Sequence, residues 1–96
     1  KHHLDKAFIS CRNIDMVRGL NDSDEMVSEM RRNIINSADY TYLLVDHTKF
    51  NKSAFISTSD FSRISFLITD KKVDKEWRDF LKEANVKLYE CEEMDL

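Results

Sequence analysis

Three apolar runs along the chain each stop at polar or charged residues, with neither Pro nor Gly marking the stop. They are Ala7-Phe8-Ile9 into Ser10-Cys11-Arg12, Tyr42-Leu43-Leu44-Val45 into Asp46-His47-Thr48-Lys49, and Ile64-Ser65-Phe66-Leu67-Ile68 into Thr69-Asp70-Lys71-Lys72. Compact runs of this kind read as strands buried on both faces, and helical periodicity follows the first and the third. Met26, Val27, Met30, Ile34, Ile35 and Ala38 recur on one helical face, which assigns both methionines to the core. Asp22 or Ser23 is placed to cap that helix, with Asp24 and Glu25 in its first turn. Val73, Trp77, Phe80, Leu81 and Ala84 form the apolar stripe of a second helix.

The predicted order is β-α-β-(β)-β-α-β. Strands are expected at Leu4–Ser10, Thr41–Val45, Ile64–Thr69 and Val86–Tyr89, with Ala54-Phe55-Ile56 readable as a further short strand. Cys11–Asp24 reads as a polar connection holding Asn13 and Gly19, which accept left-handed backbone angles. Ser57–Ser62 reads as a turn or one helical turn, and Cys91–Leu96 as a frayed acidic tail. The fold class is therefore α/β, a mainly parallel sheet with flanking helices. Ligands of such sheets sit in the crevice beyond the carboxyl ends of the strands. The hydroxyls, carboxylates and ammonium groups gathered after the three runs predict a polar, anion-accepting site there.

Composition narrows the partners. A net charge of −3 over 96 residues argues against this segment gripping DNA phosphates. No run approaches the ~20 apolar residues of a membrane span, and no signal peptide is read, so a cytoplasmic setting is expected. Cys11 and Cys91 fit neither a disulfide framework nor a zinc spacing and read as two buried thiols. His2 and His3 read as a solvated terminus, and no metal or cofactor is assigned. Gly19 is the only glycine and proline is absent, so glycine-rich phosphate loops are not available within these residues. With a strand almost at the first residue, the chain reads as the C-terminal part of a larger domain. Its unpaired sheet edge is expected to dimerise or aggregate without the rest.

Four segments, in order, resemble the effector-sensing region of the DeoR family of bacterial transcriptional regulators. Asp5-Lys6-Ala7-Phe8-Ile9-Ser10, followed by Ile14-Asp15 and Gly19-Leu20, resembles the family's first strand and the stretch after it. Arg31-Arg32 with Ile34-Ile35 and Ala38 resembles its helix, Leu43 to Phe50 its strand with an Asp and a Lys beyond it, and Leu67-Ile68-Thr69-Asp70 its next strand end. Asn13 stands where the family usually has glycine, and Val27 where members often carry Glu. The resemblance implies a Rossmann-like half of a domain like those of sugar-phosphate isomerases and CoA transferases. It also implies a phosphorylated-sugar effector, homo-oligomerisation, and DNA contact only through an N-terminal helix-turn-helix outside these residues.

The ligand-binding candidates are Ser10, Asp15, Asp46, Lys49 and Asp70. Lys49 can meet a phosphate as a point charge or pair with Asp46 as a surface lysine. Asp46 can accept from sugar hydroxyls, or cap the next turn and hold Lys49. Asp15 can face ligand hydroxyls from its loop or form a turn. Asp70, with Lys71 and Lys72, reads as a strand-end turn or a ligand contact. Arg31 and Arg32 read as a solvated helix face or as partners of Glu29 and Asp24, with anion binding second. No catalytic residue is assigned; a Cys11–His47 dyad across two strand ends is the weakest reading. A ligand-sensing module of a sugar-responsive repressor is expected. The alternatives are an isomerase-like enzyme on the same fold, with Asp15 or Asp46 as base, and a purely oligomerising domain.

Overall fold

Four strands, β1 (Leu4–Ile9), β4 (Ala38–Leu44), β6 (Phe66–Thr69) and β7 (Lys87–Glu90), lie side by side in that order, every neighbouring pair parallel. The coordinates are a computed structural model that describes residues 3–91. Helix α1 (Glu25–Ser37) leads into β4, and α2 (Lys75–Glu83) links β6 to β7. This is the expected α/β class with flanking helices. Because the strand order advances in one direction, the outer edge of β1 has no neighbour among the described residues.

The polar connection Cys11–Asp24 holds a hairpin that the sequence pattern does not predict. β2 (Asn13–Asp15) and β3 (Gly19–Asp22) pair antiparallel, and β3 also pairs with β5 (Ile56–Ser59), giving a three-stranded ribbon. Too short and polar to announce itself, the hairpin is fixed by tertiary pairing. Ile14 and Leu20 are fully buried in it. Gly19 has φ +79°, and a Cβ there would lie 2.3 Å from the Ser59 carbonyl oxygen, so no other residue fits without displacement. Asn13 is a strand residue; the left-handed positions among the described residues are Gly19, Asn51 and Asn85. The Ala54–Ile56 strand is displaced to Ile56–Ser59, and the expected single helical turn is a 3-10 turn at Phe61–Arg63.

Aspartates and asparagines perform the stops that Pro and Gly usually mark. Asp24, not Asp22 or Ser23, caps α1, accepting from the Met26 and Val27 N–H groups. Asp74 caps α2, while Asp46 and Asp60 cap the 3-10 turns at His47–Lys49 and Phe61–Arg63. Asn85 closes α2 in the left-handed region, where its N–H reaches the Lys82 carbonyl and that of Val86 the Leu81 carbonyl.

One core lies on one face of the sheet. Ile9, Leu43 and Leu67 from the strands pack with Ile35 of α1, Trp77 and Leu81 of α2, and Ile14 and Leu20 of the ribbon. Trp77 is 1% exposed, sits edge-on to Phe50, Phe61 and Phe80, and donates its indole N–H to Asn51 Oδ1 at 2.8 Å. The expectation of burial on both faces holds for this side only. On the other, Phe8, Tyr42, Phe66 and Tyr89 stack across the four strands with centroid separations of 4.6, 4.3 and 6.0 Å. Phe8 is 64% exposed there, and Tyr40, Leu44 and Tyr89 are exposed with it. Met26 and Met30 also differ from expectation: both are exposed beside Leu4, because the sheet ends at β1 and nothing described lies beyond α1 on that side. Cys11 is buried as expected, but Cys91 only partly; residues 92–96 of the expected tail lie outside the described residues.

Candidate functional site

A cavity of about 490 Å³ opens where the carboxyl ends of β1 and β4 meet the start of α1. β1 delivers Ser10, Cys11 and Arg12 to it; β4 delivers Asp46 and Lys49; Asp22, Asp24 and Arg31 complete its polar wall. Two parallel neighbours end at the same level, so residues just beyond each are brought together although 36 positions separate Ser10 from Asp46. Three of the five candidates, Ser10, Asp46 and Lys49, therefore share one cavity.

Asp46 performs its capping role directly. Its Oδ1 accepts from the Thr48 N–H at 2.8 Å and from the Thr48 hydroxyl, and these bonds hold its carboxyl below the usual aspartate range. Lys49 Nζ stands 4.0 Å from Asp46 Oδ2, an ion pair without hydrogen-bond contact. Asp70 lies one strand further along, at the end of β6. It accepts from the His47 backbone N–H at 2.8 Å and pairs with His47 Nδ1 at 2.9 Å, which lowers its carboxyl and ties the ends of β4 and β6 together.

Asp15 stands apart from this cavity, in the β2–β3 turn. It accepts from the N–H groups of Val17 and Arg18 at 2.8 and 2.9 Å, and from the Ser53 hydroxyl at 2.6 Å. The Ser53 bond is the chief cause of its lowered carboxyl. Asp15 thus makes the turn that the sequence offered beside ligand contact. The Cys11–His47 dyad is not assembled: the Cys11 thiol donates to the Asn13 carbonyl, and His47 is engaged with Asp70. Burial pushes the Cys11 thiol up to about 12, far from the thiolate a nucleophile needs.

The sequence allows Arg31 a solvated helix face or a partner in Glu29 or Asp24, with anion binding second. Its guanidinium instead pairs with Asp22, a carboxylate 2% exposed at the end of β3. Arg32 donates to the Ser28 hydroxyl at 2.9 Å and lies 4.0 Å from Glu25. The local signal for Arg31 is its spacing: nine residues after Asp22, it lies two turns into a helix whose first turn abuts the end of β3. At the opposite end of the sheet, ligand-type atoms of His3, Asp5 and Asp39 lie within 4.8 Å of one another, all on exposed side chains. Among the described residues no helix is long and apolar enough to cross a membrane.

The family model described as the DeoR C terminal sensor domain matches residues 1–71. The chain is 30% identical over 89 residues to the HTH-type transcriptional regulator IolR of Bacillus subtilis, covering 93% of this chain and 36% of that protein. It is 32% identical over 88 residues to the glycerol-3-phosphate regulon repressor of Haemophilus influenzae, covering 92% and 34%. To the putative aga operon transcriptional repressor of Escherichia coli O157:H7 it is 26% identical over 87 residues, covering 91% and 32%. The chain thus spans about a third of the length of these relatives. It belongs to the DeoR C-terminal sensor-domain family.

Proposed function

We propose that this chain is the C-terminal part of the effector-sensing domain of a DeoR-type transcriptional repressor, and that a phosphorylated sugar or polyol binds in the cavity beyond β1 and β4. The observation that carries this reading is the junction of Ser10, Asp46 and Lys49 on the wall of one polar cavity at the carboxyl ends of adjacent parallel strands. Lys49 meets the phosphate, Asp46 orients sugar hydroxyls through the oxygen not committed to Thr48, and Ser10 supplies a hydroxyl from the neighbouring strand. Asp70 holds the loop carrying Lys49 through His47. A phosphorylated three-carbon polyol is a natural first probe, because one relative is named for the glycerol-3-phosphate regulon.

Sensing requires different affinity in two arrangements of the protein and no bond-breaking. The neutral, hydrogen-bonded Cys11 and the capping duty of Asp46 suit binding better than acid–base chemistry. DNA contact belongs to the part of the protein outside these residues, consistent with relatives named as helix-turn-helix regulators and about three times as long. Homo-oligomerisation supplies the coupling, since ligand-shifted subunit packing alters the spacing of paired DNA-binding domains.

Thermal-shift measurements on the complete regulator with sugar phosphates, glycerol 3-phosphate and their unphosphorylated parents test this reading. A rise in Tm with one phosphorylated compound, absent with its parent and lost in Lys49→Ala, is the expected result. No shift with any of them overturns it.

A further inference from the structure

The formal charges on the cavity wall balance, with Arg12, Arg31 and Lys49 set against Asp22, Asp24 and Asp46. The two sets differ in what their atoms are doing. Asp24 is committed through Oδ1 to the Met26 and Val27 N–H groups at 2.8 and 3.2 Å. Asp46 is committed to Thr48 through one oxygen. Asp22 accepts from the Arg31 guanidinium, the Arg12 N–H at 3.1 Å and the Thr58 hydroxyl at 2.7 Å, which satisfies a carboxylate shut away from water. The cations are less engaged. The Arg31 guanidinium gives Nη1 to Asp22 and makes no other hydrogen bond among the described residues, and the Lys49 ammonium lies 4.0 Å from its partner. The hydrogen-bonding capacity left over toward the cavity is therefore chiefly donor capacity.

We infer that Arg31 is a second cation of this anion site, beside Lys49, that the buried Asp22 is its positioning residue, and that together they select a dianionic phosphate over a neutral sugar. This rests on the cavity reading proposed above. An arginine anchored through one nitrogen keeps the rest of its planar fork for two phosphate oxygens, a geometry no lysine supplies. Asp22 fixes the fork because its own place is fixed. Thr58, which donates to it from β5, lies 2.8 Å from the Ser28 hydroxyl of α1, and Arg32 donates to Ser28. Ribbon, helix and cavity wall share one buried polar network. Buried ion pairs often add little to stability over apolar residues of the same volume, so the buried carboxylate is better explained by the guanidinium it orients. The helix N-terminus is not the anion site, since Asp24 already occupies it.

Titration calorimetry on the complete regulator, with inorganic phosphate and glycerol 3-phosphate as probes, tests the inference. Arg31→Lys keeps the ion pair and removes the fork; both probes are expected to bind about tenfold more weakly, with the ligand-free Tm held. Asp22→Asn keeps the shape and removes a negative charge beside an anion site. Charge alone makes that substitution tighten phosphate binding, whereas a positioning role makes it loosen binding, again by about tenfold. Should Asp22→Asn melt below the assay temperature, Arg31→Lys carries the same test. Unchanged binding in Arg31→Lys, or tighter binding in Asp22→Asn, while Lys49→Ala loses it, overturns the inference and leaves the cavity reading standing. No binding of either probe by the wild type overturns both.

Discussion

The two faces of the parallel sheet are built from the same strands and have opposite fates. On the inner face, Ile9, Leu43 and Leu67 vanish beneath α1, α2 and the ribbon. On the outer face, Phe8, Tyr42, Phe66 and Tyr89 form a row whose end members stand largely in the open. Both faces are apolar because alternate residues of each strand point to opposite sides. Hydrophobicity alone does not say which side is covered. Parallel sheets are ordinarily covered on both faces, and the chain spans about a third of its relatives' length. The outer row, the free edge of β1 and the exposed Met26 and Met30 are apolar surface that no described residue covers.

The sharpest break of this comparison is Trp77→Ala. The indole fills the inner core, touches three aromatic rings and satisfies Asn51. Its removal is expected to cost about 3–5 kcal/mol, read as a fall in the denaturant midpoint. A loss no greater than that of an outer-face substitution would erase the distinction between the faces.

Cys11, at the cavity end of the inner face, gives a pH-dependent version of the same contrast. Its thiol ionises at about 12 in the folded protein against 9.0 unfolded, chiefly through burial. The folded state holds the proton more tightly, so the stability this group contributes is intact below pH 9.0 and is lost as pH rises toward 12. Wild type is expected to lose about 1 kcal/mol more than Cys11→Ala between pH 7 and pH 10. Denaturation curves at the two pH values measure it, and parallel losses would mean the thiol is already accessible to water.

The smallest effect belongs to the outer row and is the most instructive. Phe8→Ser is expected to change the stability of the 96-residue chain by about 0.5 kcal/mol, while lowering its self-association in sedimentation. In the complete regulator the same substitution is expected to cost several times more if the face is covered there. Equal, small effects in both proteins would show the row to be solvent-facing throughout.

Local rules reach a definite part of this molecule. Strand and helix periods placed α1, α2 and the four parallel strands to within a few residues, because side chains alternate by two along a strand and by 3.6 along a helix whatever surrounds them. The position of Ser10, Asp46 and Lys49 also followed from the sequence, since residues just past parallel strands emerge at one sheet end. The ordered resemblance of the motifs agrees with the family model that matches residues 1–71. Asp15 is a different case: its residue type fits a ligand contact and a turn equally well, and the structure places it outside the cavity, in a turn where it accepts from Val17, Arg18 and Ser53.

What the sequence determined by itself is the two helices, the four parallel strands and the chemistry gathered beyond those strands. All of these depend on backbone angles, side-chain period and short-range capping, which act over a few residues. The tertiary structure alone decided that Cys11–Asp24 folds as a hairpin, that Met26 and Met30 face outward, and that Arg31 joins the cavity. Each of these rests on contacts between distant positions: Gly19 against the Ser59 carbonyl, the edge where the sheet stops at β1, and Thr58 donating across 36 residues to Asp22. A buried carboxylate must find its donors wherever the fold brings them, and only the assembled chain says which residues those are.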